Sequence, residues 1–287
     1  LPSGTMCNQI SFRVHCRPGD EIILDFSAHP INAESGGPPA LAMAQTRAIH
    51  TERGIFTADQ VQEAIRPRRR HSPLSRVLSV ENTTNFGGGA VWPVEQVAAV
   101  TAVAHENGMA SHMDGARLMN AVVESGTPAG DYARHFDSIW LDLSKGLGCP
   151  IGGVLAGSDD FIEQAWRFKQ QMGGAMRQAG IVAAAGVYAL EHNVERLRED
   201  HENARAFARA IAQIPGIALS HDRCDTNIVF FEVAETGLTA AEVAERLAGK
   251  GVRIGAMGPS QMRAVTHLDV DGDDLAAAAQ ALREVLA

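Results

Sequence analysis

The chain has 287 residues, beyond the usual size of one domain, and its 45% apolar and 21% charged composition is that of a globular protein with a sizeable core. The 28 glycines and 12 prolines exclude a fibrous or disordered chain. A net charge of −9 argues against nucleic acid as the main partner, because neutralising phosphates requires clustered Lys and Arg.

The chain opens at Leu1 rather than Met, which leads us to expect a preceding segment in the full protein, and it shows no basic-then-apolar leader. Ser3-Gly4-Thr5 opens a helix-like stretch. Backbone N–H groups at a helix start, together with a Thr hydroxyl, can seat a phosphate, although such residues are ordinarily just an N-cap. After the RPGD turn, residues 21–26 (EIILDF) read as a buried strand, and His29 follows in FSAHP. A His there can lie flat on an aromatic cofactor or serve as a structural hydrogen-bonding group. Residues 66–71 (RPRRRH) form the one basic cluster; it is short and lacks aromatics, so it reads as a solvated loop.

Further strands are expected at 76–80, 109–113, 138–143 and 153–156. A helix is expected over 93–107, with Pro at its start and Gly108 at its end, and another over 159–171. The Ala-rich run 181–190 (IVAAAGVYAL) reads as a buried helix and is too short to span a membrane. A long charged helix is expected over 193–214. Strands then follow near 227–233, 252–256 and 263–267, with helices at 240–250 and from Asp271. This order predicts an α/β fold: a large domain, 1–192, with a mostly parallel sheet flanked by helices, and a smaller α+β domain, 193–287. The four cysteines (7, 16, 149, 224) form neither a CxxC pair nor a metal-ligand spacing, so no metal and a reducing, cytoplasmic location are expected.

Two predicted strand ends carry unusual polar clusters. One is Ser111-His112-Met113-Asp114-Gly115-Ala116-Arg117; the other is Asp142-Leu143-Ser144-Lys145-Gly146-Leu147-Gly148. A lysine amine at a strand end can form an imine with an aldehyde. A carboxylate on a neighbouring strand can keep a pyridine nitrogen protonated. The two residues lie 31 positions apart, the span of one strand-helix-strand return. On this chemistry alone, pyridoxal 5′-phosphate stands beside the plainer reading of a structural Asp and an ordinary Lys.

The segments PSGTMCNQ, His29 with AESGG, ENTTNFGGGAVWP, HMDGAR, LSKGLGCPIGGVLAG, MGGAMRQAG and RAVTHLD occur in that order. Across essentially the whole chain they resemble the L-threonine aldolase family of pyridoxal-phosphate enzymes, low-specificity branch, fold type I. The resemblance implies that residues 1–192 bind the cofactor. Lys145 would hold it, Asp114 would meet its ring nitrogen, and Ala116 and His29 would flank the ring. Gly4, Thr5 and Ser144 would bind the phosphate, with Lys169 a further basic contact and Arg177 one donated by a neighbouring subunit. Arg117 and Arg263 would hold the substrate carboxylate, since guanidinium forks suit it; an internal salt bridge is the plainer role for Arg263. His267 reads as structural.

The resemblance implies retro-aldol cleavage of a β-hydroxy-α-amino acid to glycine and an aldehyde, in a homo-oligomer (dimer or dimer of dimers) with shared active sites. Three departures stand out. Thr84 occupies a position where the family has His, so the base is His29 or a water held partly by Thr84. Lys169-Gln170 replaces Arg-Lys. The family's N-terminal arm has no counterpart. Another pyridoxal reaction (β-elimination, transamination or aldol transfer) and a non-catalytic homologue remain the alternatives.

Overall fold

The computed structural model describes residues 1–286. Internal contacts divide the chain into two compact units, Leu1–Glu195 and Arg196–Ala287.

In chain order the first unit contains α1 (Gly4–His15), β1 (Glu21–Asp25), α2 (His29–Asn32), β2 (Gln45–Ile49), α3 (Ala58–Ala64), β3 (Ser75–Glu81) and α4 (Val94–Glu106). It continues with β4 (Ala110–Gly115), α5 (Leu118–Ser125), α6 (Ala129–Ala133), β5 (Ser138–Asp142), β6 (Gly153–Gly157), α7 (Asp159–Gln171) and α8 (Gly180–His192). The sheet runs β2-β1-β3-β4-β5-β6. All its neighbours are parallel except β5 and β6, which are antiparallel. Every residue of β1 is buried, as a central strand covered on both faces requires.

Alternation along β1 divides the core. Ile22 and Leu24 pack with Phe12 of α1, with Cys16 just after it, and with Val77. Ile23 faces the other way, into a cluster with Leu78, Val80, Met113, Val61 of α3, and Val97 and Val100 of α4. Helix α4 buries Val97, Val100, Thr101 and Ala104, the i, i+3, i+4, i+7 stripe that seats a helix on a sheet. Helix α1 buries six consecutive residues, Cys7 to Phe12, three of them polar. Those polar groups need internal partners: Ser11 donates to Cys7 O at 2.8 Å within the helix, and Asn8 and Gln9 find theirs in the site described below.

The second unit contains α9 (Leu197–Ile211), β7 (Ala218–Leu219), β8 (Ile228–Glu232), α10 (Ala240–Ala248), β9 (Gly255–Ala256), β10 (Gln261–Val265) and α11 (Gly272–Leu286). Its sheet, β7-β8-β10-β9, is antiparallel. Phe207, Phe231, Val243, Leu247, Met262 and Leu282 form its core.

Several expectations need correction. The predicted helix 193–214 is interrupted: α8 ends at His192, and α9 begins at Leu197. Asn193 ends α8, donating its N–H to Ala189 and its side-chain amide to Leu147 O at 2.8 Å. The run 181–190 is helical but not buried. Ile181 is 83% exposed, and Val187, Tyr188 and Leu190 are exposed with it, because only the small Gly186 and Ala189 sides turn inward. Strand 252–256 shrinks to two edge residues. Strand β2 and helix α3, with no expectation to match them, complete the sheet edge and one face. Residues 67–71 form an exposed loop, whereas Arg66 pairs with buried Glu21 at 2.8 Å.

Candidate active site

Open sheets of this kind place ligands beyond the carboxyl ends of their strands, near the point where strand order reverses, here between β1 and β3. Four strand ends converge in the chain's chemistry: His29 after β1, Glu81 closing β3, Asp114 in β4, and Asp142 closing β5.

At the end of β5, Ser144 donates its N–H and its hydroxyl to Asp142 Oδ1 at 2.7 and 2.8 Å. This aspartate-centred turn fixes the exit of the next residue. Lys145 Nζ lies 3.2 Å from Asp142 Oδ2, with the side chain about one-third exposed (36%). It also lies 5.7 Å from the centre of the Trp140 ring. The same ring underlies Gly4 at the start of α1, where a Cβ would sit 2.1 Å from it. Only glycine brings the helix start so close. Ser3 Oγ accepts the Met6 N–H at 3.2 Å, and the first-turn N–H groups of Gly4 and Thr5 have no acceptor within the helix. That end of α1 carries the positive pole of its dipole.

Trp140 also links this corner to Asp114. Its indole N–H donates to Asn8 Oδ1 at 2.7 Å, and Asn8 Nδ2 donates to Asp114 Oδ2 at 2.7 Å. Asp114 Oδ1 accepts the Ala116 N–H at 3.0 Å. Burial pushes the Asp114 carboxyl above its ordinary range, while the Lys145 charge and the Asn8 hydrogen bond pull it back. Such a buried carboxylate is matched by a cationic N–H, which a protonated pyridine offers. Ala116 is buried and packs with Cys7 and Trp140.

His29 lies across from this group. Its Nδ1 is 2.9 Å from Glu34 Oε1, and Nε2 makes no hydrogen bond among the described residues. The Glu34 hydrogen bond, partly offset by burial, raises the His29 pKa above its ordinary value. Glu34 is itself buried and accepts from Asn8 at 2.7 Å and Gln9 at 2.6 Å. The His29 backbone N–H donates to Glu81 Oε2 at 2.8 Å, and Asn85 N–H donates to Glu81 Oε1 at 2.7 Å. Burial, then the nearby Asp114 charge, push the Glu81 carboxyl up to about 7. Thr84 is buried beside Gly54, and its hydroxyl has no hydrogen-bond partner among the described residues. It borders a cavity of about 10 Å³ shared with Glu81, Ser27 and Asp25, close to the volume one water needs.

The other expected site residues are more scattered. Arg117 is buried immediately after β4, its N–H donating to Asn82 O at 3.2 Å. Lys169, on α7, lies 4.1 Å over the Trp166 ring, away from the Asp114 cluster's hydrogen bonds. Arg177 is exposed in the turn before α8. Arg263 is on β10 of the second unit, half-buried, and burial lowers its pKa. His267 is partly exposed, 3.5 Å from Asp269. Among the described residues, no group of His, Cys, Asp and Glu could hold a metal. A cavity of about 510 Å³ lies within the second unit against Arg205, Arg209 and Phe230 and contains none of these groups.

Sequence reading missed Asn8, Glu34, Glu81 and Trp140 as site residues. The first three lay inside the quoted motifs, but nothing local gave them a partner. A helix start, a strand-end amine and a buried carboxylate joined through one indole ring form a fitting seat for pyridoxal phosphate: its phosphate, its aldehyde and its ring nitrogen each meet a matching group.

Comparison with known proteins agrees. The β-eliminating lyase family model matches residues 1–236. The low-specificity L-threonine aldolase of Escherichia coli is 39% identical, the match covering 100% of this chain and 84% of that protein. Low-specificity L-threonine aldolase 1 of Arabidopsis thaliana is 34% identical over 96% of this chain and 78% of its own length. The solved threonine aldolase of Leishmania major superposes with a TM-score of 0.81 at 19% identity, covering 100% of this chain and 83% of that one, and so shares the fold. With matched sequence across both units and the strand-end lysine and aspartate in place, the chain belongs to the β-eliminating lyase family.

Proposed function

We infer that this protein is a pyridoxal-phosphate-dependent L-threonine aldolase. It cleaves L-threonine, L-allo-threonine and related β-hydroxy-α-amino acids to glycine and an aldehyde. The observation that carries this reading is the linked corner at β5 and α1, where Lys145, Trp140, Asn8 and Asp114 form one chain of contacts below the start of a helix. The low-specificity relatives named above supply the substrate class.

Lys145 would hold the cofactor, and Asp114 would keep its ring nitrogen protonated. Gly4, Thr5 and Ser144 would hold the phosphate. Bound pyridoxal phosphate supplies the sink for the electron pair released when the Cα–Cβ bond breaks. Arg117 and Arg263 would bind the substrate carboxylate. The proton on the β-hydroxyl goes to His29 Nε2, because Glu34 holds the Nδ1–H and leaves Nε2 as the accepting atom. Thr84 would hold a water in the small cavity rather than act as base itself. Lys169 and Arg177 would be further phosphate contacts, Arg177 acting on a neighbouring subunit.

Self-association as a dimer or dimer of dimers is part of the same proposal. It is supported by the exposed apolar side chains of α8, which follow directly on Arg177. A cytoplasmic location is supported by four cysteines that form no disulfide among the described residues. No helix among those residues is long and apolar enough to cross a membrane. Threonine breakdown and glycine formation would then be the metabolic setting.

Lys145→Ala tests the reading. Loss of both the cofactor's visible band and all turnover of threonine is expected; full activity in that variant overturns it. Thr84 favours one competing reading, a different pyridoxal reaction on amino acids, because a threonine replaces the family's histidine there. That reading predicts ammonia and a keto acid as products.

A further inference from the structure

Asn8 is fully buried in α1 and lies within hydrogen-bond distance of four groups. Its Nδ2 is 2.7 Å from Asp114 Oδ2 and 2.7 Å from Glu34 Oε1. Its Oδ1 is 2.7 Å from Trp140 Nε1 and 3.1 Å from His112 Nε2. An indole nitrogen can only donate, so Oδ1 faces Trp140 and both amide N–H groups face the carboxylates. An amide oxygen can only accept, so His112 Nε2 carries a hydrogen.

Burial, with His15 nearby, holds the His112 pKa down at about 3, and the ring is neutral. Its Nδ1 is therefore bare and accepts the Ser138 hydroxyl proton at 2.9 Å. That hydroxyl has a single proton, so the remaining contact, His15 Nε2 at 2.8 Å, is a donation from His15. Burial also holds His15 neutral, at about 4. Each proton between His15 and the two carboxylates has one allowed position, and all the bonds run the same way.

We propose that Asn8 is a positioning residue for recognition of the cofactor's ring nitrogen: hydrogen bonds running from His15 through Ser138 and His112, with Trp140 alongside, lock its amide in the one orientation that gives both N–H groups to Glu34 and Asp114. Both hydrogen bonds on the Asp114 carboxyl then come from donors, Asn8 and the Ala116 N–H, and both favour the ionised form against the cost of burial. An ionised Asp114 is what a protonated ring nitrogen needs. Glu34 Oε1 also takes the His29 Nδ1 contact, so the same amide sets the edge and the face of the ring site. The inference rests on the reading of this chain as a pyridoxal-phosphate enzyme.

Two measurements test it. The first compares the affinity of the cofactor-free protein for pyridoxal phosphate and for the analogue whose ring nitrogen is replaced by C–H. Asn8→Leu keeps the side-chain size and removes the amide. It is expected to weaken pyridoxal phosphate binding about tenfold or more while changing analogue binding by less than about twofold. Equal weakening of both, or of neither, overturns the proposal. If the parent protein binds neither compound, the cofactor reading itself fails.

The second measurement needs no variant. Nitrogen-15 NMR of the parent protein is expected to show His112 neutral with its hydrogen on Nε2 from pH 6 to 8. A hydrogen on Nδ1, or a charged ring, overturns the assignment whether or not cofactor binds.

Discussion

At His29 the structure sets the direction of a pH dependence. The imidazole accepts a proton only when neutral, and its hydrogen bond to Glu34 raises its pKa above the free value of 6.5. Activity should therefore rise with pH through an apparent pKa above 6.5, and Glu34→Gln should move that limb to lower pH. A limb unmoved by the substitution would remove His29 from the base role. His29→Ala should lower kcat by roughly 10²–10⁴-fold, measured on threonine at saturating cofactor. Gly4 makes a separate prediction. A methyl group there meets Trp140 at 2.1 Å, so Gly4→Ala should weaken cofactor binding in a direct titration and cost about 1–3 kcal/mol of stability.

Among individual residues, the placement of Asp114 in β4 and Lys145 just beyond β5 was legible because their spacing fits one crossover. Asn8, Glu34 and Glu81 were not, because each matters through partners from other segments: Asn8 reaches Asp114 across 106 positions of sequence. An Asn or Glu has no intrinsic signal of burial. Its meaning appears only when the fold removes water and leaves it to find a partner inside the protein.

Among the elements, strands β1, β3, β4 and β5 matched the apolar runs that foretold them to within a residue or two at each end. A strand covered on both faces reads as a short, near-continuous apolar run. Leu78, fully buried in β3 between α4 and the rest of its cluster, should cost about 2–5 kcal/mol when cut to Ala, read as a lower urea midpoint. Strand β2 escaped notice because it lies at the sheet edge with its side chains mostly exposed, so its sequence QTRAI has no apolar period. The expected long helix over 193–214 failed for a different reason. Helical periodicity continues in the sequence on both sides of residues 193–196, while the Asn193 amide binds Leu147 O and ends α8.

For the whole molecule, composition and charge described a globular chain correctly but could not tell which apolar surfaces stay exposed. Helix α8 shows the difficulty: its run of apolar residues looked like core, yet Ile181, Val187, Tyr188 and Leu190 face outward. In the self-association proposed above, these side chains would form the contact surface. Replacing Ile181 and Tyr188 with Asp should shift the protein toward the monomer in light-scattering measurements. An unchanged mass would place any self-association elsewhere.

The central claim is that the corner built by Lys145, Trp140, Asn8 and Asp114 serves to break a Cα–Cβ bond. The most direct test is to incubate the pyridoxal-phosphate-loaded protein with L-threonine and quantify all products. The structure predicts glycine and acetaldehyde in equal amounts, both lost in Lys145→Ala. Ammonia and 2-oxobutanoate in their place would contradict it.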